Sequence, residues 1–410
     1  MREKRQNIFF IITLIIVSMV LTACDKSIPA YQDDVSVSDE VYTEKKNKSI
    51  DDFFIQPFEK VKPVWKPVEV KGIYLTGWSA GNRKRFFELV DLVKSTELNS
   101  MVIDIKDATG QVTFNTQVQQ AKDINAVSAK INDIKEILRI LEENHIYSIA
   151  RIVVFKDPIL AKNKPEWAVK TKDGRVWTDY KGKGWVNPYL KEVWEYNIKL
   201  AEEAAKLGFK EIQFDYVRFP SDGNLKNIVY DKITDEPKSK VIKRFLEYAR
   251  SRLNPRGVYV SADVFGLVTS ASDDLNIGQV LEDIAEVVDY ICPMVYPSHY
   301  AMGSYGIPNP NASPYETVYA SLSHAVRRLN KMDNNKAIIR PWLQDFSLGY
   351  PYGVKEVKAQ IKAVYDTGLK EWILWNPSNY YTVGALEKKQ TTTEKLEAMN
   401  TLGIEEERSE

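Results

Sequence analysis

The sequence predicts an α/β protein, a single (β/α)8 TIM barrel, on three observations. Eight strand-like runs alternate with amphipathic helical runs between residues 71 and 381, and such alternation builds a parallel sheet covered by helices. Polar and aromatic residues gather at the C-terminal ends of those runs, the end where a barrel of this kind places its chemistry. The glycine-rich first turn of an open doubly wound sheet is missing, with no GxGxxG or phosphate loop anywhere in the chain.

The first strand is KGIYLTGW (71–78), followed by Phe86, Phe87, Val90 and Val93 at helical spacing. The second is NSMVIDIKD (99–107), then a polar loop and a helix carrying Ile134, Ile137, Leu138 and Leu141. YSIARIVVFKD (147–157) is the third, succeeded by a long loop holding Trp167, Trp177 and Trp185 and a helix over 193–207. The fourth strand opens EIQFDYVRFPSDG (211–223), in which β-branched and aromatic residues alternate until a proline and Ser-Asp-Gly turn the chain. A helix with Ile242, Phe245 and Leu246 leads to the fifth, GVYVSADVFG (257–266). The sixth is VVDYICPMVYP (287–297), with a helix from about Pro314 after it. KAIIRPWLQDF (336–346) and KEWILWNPSNYY (370–381) complete the set. Helices ending in glycine, at Gly208 and Gly368, precede two of the strands, as helix-to-strand joints often do.

Outside the barrel, predicted over 71–390, the chain is an address and two solvated ends. Arg2, Lys4 and Arg5 precede an apolar run from Ile8 to Leu21, then Thr22, Ala23 and Cys24. The run is shorter than the roughly 20 residues a spanning helix needs, so residues 1–23 read as a signal peptide. The ending Leu21-Thr22-Ala23-Cys24 resembles the bacterial lipobox, which implies a lipid on Cys24 and a protein held at the extracytoplasmic face of a bacterial cell membrane. Residues 24–70, polar and broken by prolines, form a tether, and residues 391–410 a polar acidic tail. Cys292 is left without a partner, so no disulfide framework exists; in an apolar strand it reads as a buried free thiol. Lys+Arg and Asp+Glu are equal at 56 each, which gives no sign of a nucleic-acid partner.

The candidate site follows from strand parity. Gln213 and Asp215 share one face of the fourth strand, and an acid on an inner face must be paired or working. Asp263 ends the fifth strand, one inter-strand spacing of about 4.8 Å away. Two carboxylates serve glycoside hydrolysis: one protonates the leaving oxygen, the other attacks the anomeric carbon or activates water. Aromatic and hydrogen-bonding residues at the same ends suit a sugar: Trp78, Asp104, Lys106, Arg218, Tyr296, His299, Trp342, Gln344, Trp375 and Asn376 are the candidate substrate-binding residues. Asp104 paired with Lys106 or Arg151, and Arg340 holding a core carboxylate, are the structural alternatives. Only three histidines occur, without HExxH, HxH or a cysteine pair, so no metal or other cofactor is expected. No GxSxG elbow supports a serine triad.

The runs GIYLTGWSAG, VIDIKDATG, FDYVRFPSDG, SADVFG, PMVYPSHY and LWNPSNYY, spread over 70–381, resemble the bacterial "putative glycosyl hydrolase" barrel family of envelope proteins. That family is distantly similar to α-amylase-like glycoside hydrolases. The resemblance implies a catalytic acid, commonly the nucleophile, at Asp215, and an acid/base after the fifth strand, where this chain offers Asp263 in place of the usual Glu. The expectation is a lipid-anchored glycoside hydrolase of a cell-envelope or extracellular polysaccharide, peptidoglycan glycan strands or an exopolysaccharide. Two other readings compete. One is a non-catalytic glycan-binding lipoprotein; the other is an assembly scaffold presenting Trp167, Trp177 and Trp185 to a protein.

Overall fold

The computed structural model describes residues 68–231, 235–332 and 337–389. Within them eight parallel strands form a barrel: β1 (Lys71–Leu75), β2 (Ser100–Lys106), β3 (Tyr147–Val153), β4 (Glu211–Asp215), β5 (Tyr259–Phe265), β6 (Tyr290–Met294), β7 (Trp342–Gln344) and β8 (Trp372–Trp375). They neighbour one another in chain order. The ring closes through β1, which pairs β8 with Lys71 beside Trp372 and β2 with Gly72 beside Ser100. The expected signal peptide, most of the tether and the acidic tail fall outside the described residues. Among the described residues no helix is long and apolar enough to cross a membrane.

Helices cover the barrel, among them α1 (Arg83–Ser95), α2 (Ile134–Glu143), α3 (Lys191–Leu207), α4 (Lys238–Leu253), α5 (Leu281–Ala285), α6 (Pro314–Leu329) and α7 (Val354–Asp366). Their apolar stripes face the sheet. Ile134, Ile137, Leu138 and Leu141 of α2 are buried, as are Ile242, Phe245 and Leu246 of α4. In α1 the buried stripe is Phe86, Leu89, Val90 and Val93, and Phe87 is 36% exposed, one position off a 3.6-residue period. Asn82 and Asp133 cap α1 and α2 by accepting from the backbone N–H groups of Arg85 and Glu136. At the other end of α3, Gly208 takes φ 116, the left-handed turn that stops a helix without a Cβ clash.

Three local features depart from the sequence reading. The polar loop expected after β2 contains two short strands, Val112–Phe114 antiparallel to β2 and Val127–Ile131 beside it. Their three and five residues are too few to show a period. The seventh strand is split: Ile338–Ile339 pairs β6, then Pro341, which has no N–H for the ladder, separates it from β7. Helix α5 is little more than one turn, and nothing in LEDIA announces it.

The barrel interior is polar at its N-terminal end. Arg340 donates to both carboxylate oxygens of Glu211 at 2.8 and 2.9 Å, and to Glu371 at 2.7 Å. Ser261 and Tyr147 donate to the same Glu211, and the guanidinium lies 3.7 Å over the Tyr290 ring. Arg340 therefore belongs to the floor and holds core carboxylates, the structural alternative anticipated for it. Above it pack Gln213 and the buried thiol of Cys292, 3.3 Å apart. Replacing Arg340 strands two buried acids. Arg340→Met is expected to lose about 3–5 kcal/mol of stability in urea titration, and adding Glu211→Gln and Glu371→Gln to recover a large part of it.

Candidate active site

Strand β4 ends abruptly at Asp215. Tyr216, the next residue, sits at φ 49, a left-handed conformation that a bulky side chain adopts only when its surroundings impose it. Its amide donates back to Asp215 Oδ1 at 2.5 Å, and its ring meets Trp185 edge-on at 5.8 Å. Further along, Gly223 (φ 101) packs so closely on Trp177 that a Cβ would lie 2.6 Å from the indole. The FPSDG turn is thus fitted to the long loop after β3. That loop buries Trp177 and Trp185 and pairs Asp179 with Lys156 at 2.9 Å. Two of the three tryptophans considered for a protein-docking scaffold are therefore internal.

The carboxylate of Asp215 is paired with Arg151, on β3. Arg151 Nε donates to Asp215 Oδ2 at 3.1 Å, Nη2 donates to the same oxygen, and Nη1 donates to Asp104 Oδ1 at 2.5 Å. Tyr74 of β1 donates its hydroxyl to the other oxygen of Asp104. Burial alone would lower the Arg151 pKa; the charges of Asp104 and Asp215 outweigh it and hold the guanidinium well above its ordinary value. Burial raises the pKa of Asp104 against the pull of Arg151 and Tyr74. Asp104 thus positions Arg151, which positions Asp215.

Asp263 is in a different environment. The register of β4 on β5 sets Phe214 beside Ala262, so Asp215 and Asp263 follow one step on along adjacent strands. Asp263 Oδ2 is 3.9 Å from Arg151 Nε, and Oδ1 accepts from Trp342 Nε1 at 2.7 Å. Burial first, and then the neighbouring charge of Asp215, push its pKa well above the carboxylate range. One carboxylate is clamped by a cation, while burial of its neighbour favours the protonated form there. The Oδ2 atoms of Asp215 and Asp263 lie 3.1 and 3.9 Å from one nitrogen, so their separation cannot exceed the sum of those distances.

A cavity of about 470 Å³ opens over this pair, lined by Arg151, Asp215, Arg218, Asp263, Tyr296, His299, Trp342 and Trp375 among others. Trp375 stacks on Tyr74 at 4.0 Å and meets Trp342 edge-on at 5.5 Å. Tyr296 lies edge-on to His299 at 5.3 Å.

Four candidates lie elsewhere. Lys106 is fully buried on the outer side of β2, its amine bound to Asp157 (2.7 Å), the Val153 carbonyl (2.7 Å) and Asn197 of α3 (3.0 Å). A bulge between Asp104 and Lys106 breaks the strand's alternation and turns it outward. Trp78, 69% exposed, caps the outside of the short helix Gly77–Gly81 against Lys130. Gln344 is spent on backbone, accepting from the Ser298 amide and donating to the Phe346 carbonyl. Asn376 likewise ties the Asp345 and Tyr380 carbonyls together. The sequence reading left out Tyr74 and Phe265 and gave Arg151 only a structural role. An arginine inside the otherwise buried run YSIARIV was the available signal for it.

A (β/α)8 barrel carrying two acids of opposite condition in a cavity at its C-terminal end has the general form of a glycoside-hydrolase barrel. Residues 72–381 match the family model described as "Putative glycosyl hydrolase domain", and the chain belongs to that family. Among solved structures, the PgaB (BpsB) glycoside hydrolase domain from Bordetella bronchiseptica is 13% identical with a TM-score of 0.58, covering 79% of this chain and 100% of that one. It shares the fold. A hypothetical protein from Ruminiclostridium thermocellum is 42% identical over 47% of this chain and 97% of that one, with a TM-score of 0.44. The spore cortex-lytic enzyme SleL of Bacillus cereus is 13% identical over 77% of this chain and 73% of that one, with a TM-score of 0.45. A search of curated proteins found no match.

The raised pKa of Asp263 makes a prediction about stability. The folded chain binds this proton more tightly than the unfolded chain, so stability falls as pH rises from the ordinary carboxylate value towards the folded one. Asp263→Asn removes that cost. The variant is expected to melt above the parent at pH 7, the gap closing as pH drops towards 4 or so; a parent that melts higher at pH 7 would contradict it.

Proposed function

We propose that this protein is a glycoside hydrolase of an envelope or extracellular polysaccharide, with Asp263 as proton donor and Asp215 as nucleophile or base. What carries the reading is the contrast between the two acids. Asp263 is desolvated and holds its proton; Asp215, beside it, is paired with Arg151. In the first step Asp263 gives its proton to the leaving glycosidic oxygen as the anomeric C–O bond breaks. Asp215 takes the glycosyl group as an ester, and a water deprotonated by the Asp263 carboxylate then releases it. The cap on the Oδ2–Oδ2 separation is compatible with the roughly 5–5.5 Å of retaining pairs, which favours the nucleophilic role of Asp215. Trp375, partly exposed in the cavity wall, offers its ring to a sugar's apolar face, and Tyr296 and His299 offer hydrogen bonds from the same wall. The similarity of fold to a glycoside hydrolase domain supports the same reaction class.

The N-terminal pattern from Arg2 to Cys24 supports a lipid-anchored protein outside the cytoplasm, where such a polymer is met. Cys24→Ala is expected to move the protein from the membrane fraction to the soluble one.

Residues 25–410 and their Asp215→Asn variant, incubated with purified peptidoglycan and a panel of exopolysaccharides, are to be compared by reducing ends released. The parent is expected to release them and the folded variant not to. Asp263→Asn is expected to lose on the order of 10²–10⁴-fold on unactivated glycans, and much less in kcat/KM, though not in kcat, on aryl glycosides, whose leaving group needs no proton but whose ester intermediate still needs the base. The parent's rate should fall on the alkaline side as Asp263 deprotonates, above the ordinary carboxylate range, and the variant's rate on aryl glycosides should lack that limb. Glycan affinity without turnover in the parent would instead make it a binding protein.

A further inference from the structure

Arg218 is the cation in the cavity wall that the proposed chemistry leaves unused. Its side chain is only 6% exposed, yet among the described residues no carboxylate lies within ion-pairing distance of it. Nη1 donates to the Phe219 carbonyl at 3.0 Å and to Ser221 Oγ at 3.1 Å, while Nε and Nη2 have no hydrogen-bond partner there. The guanidinium rests on three rings, Phe265 at 4.4 Å, Tyr216 at 4.9 Å and Trp185 at 5.0 Å. Burial lowers its pKa against the attraction of Tyr216 and the surrounding acids.

Those acids are engaged elsewhere. Asp215 is bound to Arg151 and the Tyr216 amide, Asp179 to Lys156, and Asp222 accepts from the Tyr180 amide at 3.3 Å. A buried guanidinium without a counter-charge is costly unless something in the working state supplies one. Three aromatic faces fix its plane, so its remaining N–H groups form a fork ready for two oxygens. A residue that only stapled the FPSDG turn would need one nitrogen, not three.

We infer that Arg218 binds a carboxylate carried by the sugar, and that the polysaccharide is acidic, a polymer of uronic acids or one bearing lactyl-ether acids of the muramic type. The inference rests on the glycoside-hydrolase reading for its polymer, but the anion subsite is a binding claim and is tested apart from turnover.

Wild-type protein, Arg218→Gln and Arg218→Lys are titrated by ligand-observed NMR with D-glucuronate and N-acetylmuramate, and with D-glucose and N-acetylglucosamine as neutral partners. In the wild type the acid sugar is expected to bind roughly 10- to 100-fold tighter than its neutral partner, the worth of a hydrogen bond to a charge. Arg218→Gln should erase the preference. Arg218→Lys, which keeps charge and stem but not the fork, should retain part of it and serves where the Gln variant fails to fold. Tighter glucuronate assigns a uronic acid polymer, and tighter N-acetylmuramate assigns muramic-type strands. Equal binding of acid and neutral sugars by the folded wild type, or a preference that survives in folded Arg218→Gln, overturns the inference. Aryl glucosides and aryl glucuronides of both anomers separate the two claims. Acid-sugar preference without any hydrolysis removes the hydrolase and leaves the subsite; hydrolysis of both at equal kcat/KM does the reverse.

Discussion

The Arg151 guanidinium, shared between Asp104 and Asp215, is the interaction on which the rest of the site depends. It brings together acids from β2 and β4, neighbours of β3 on either side, and lies 5.5 Å from the Tyr74 ring and 5.2 Å from the Trp375 ring. At the base of the cavity its charge satisfies Asp215 but reaches Asp263 only at 3.9 Å. That unequal sharing puts two chemically identical side chains on adjacent strands in different surroundings, and burial with little compensation raises the pKa of Asp263. Trp342, donating to Asp263 from β7, fixes where that carboxyl group stands. The difference between the two acids is therefore set by a third residue, Arg151, that contacts one and only approaches the other.

The two ends of the barrel use the same device for different ends. At the N-terminal end Arg340 is enclosed with Glu211 and Glu371, and its ring of partners is complete on the acid side. At the C-terminal end Arg151 has two acids in contact and a third held off, beneath an open cavity. The floor holds the strands in register; the mouth keeps one group poised. Arg218, with aromatic faces instead of acids around it, is a third solution in which the counter-charge is left to come from outside.

The strands and the acid pair were legible in the sequence because both depend on local period. Alternation in EIQFD and VSADVF puts Asp215 and Asp263 on inner faces, and strand order puts them side by side. The candidates that lie away from the cavity do so for reasons no period records. Lys106 has the parity of Asp104, and only a one-residue bulge sends it to α3. Gln344 and Asn376 occupy functional ends of strands, but their short amides match nearby backbone groups first. Trp78 is set outside the cavity by a helix that begins directly after β1. Arg151 carried a visible signal, a charge within a buried strand, but its two acids come from strands 47 and 64 residues away.

Closure of the ring through Lys71 and Trp372 has a consequence for how the molecule comes into being. The first strand must wait for the last, so no partial chain leaving the ribosome can complete the sheet, and a nascent polypeptide keeps two unsatisfied edges almost to its end. The contact that closes the ring, between its first and last strands, is thus the last to become available as the chain is made.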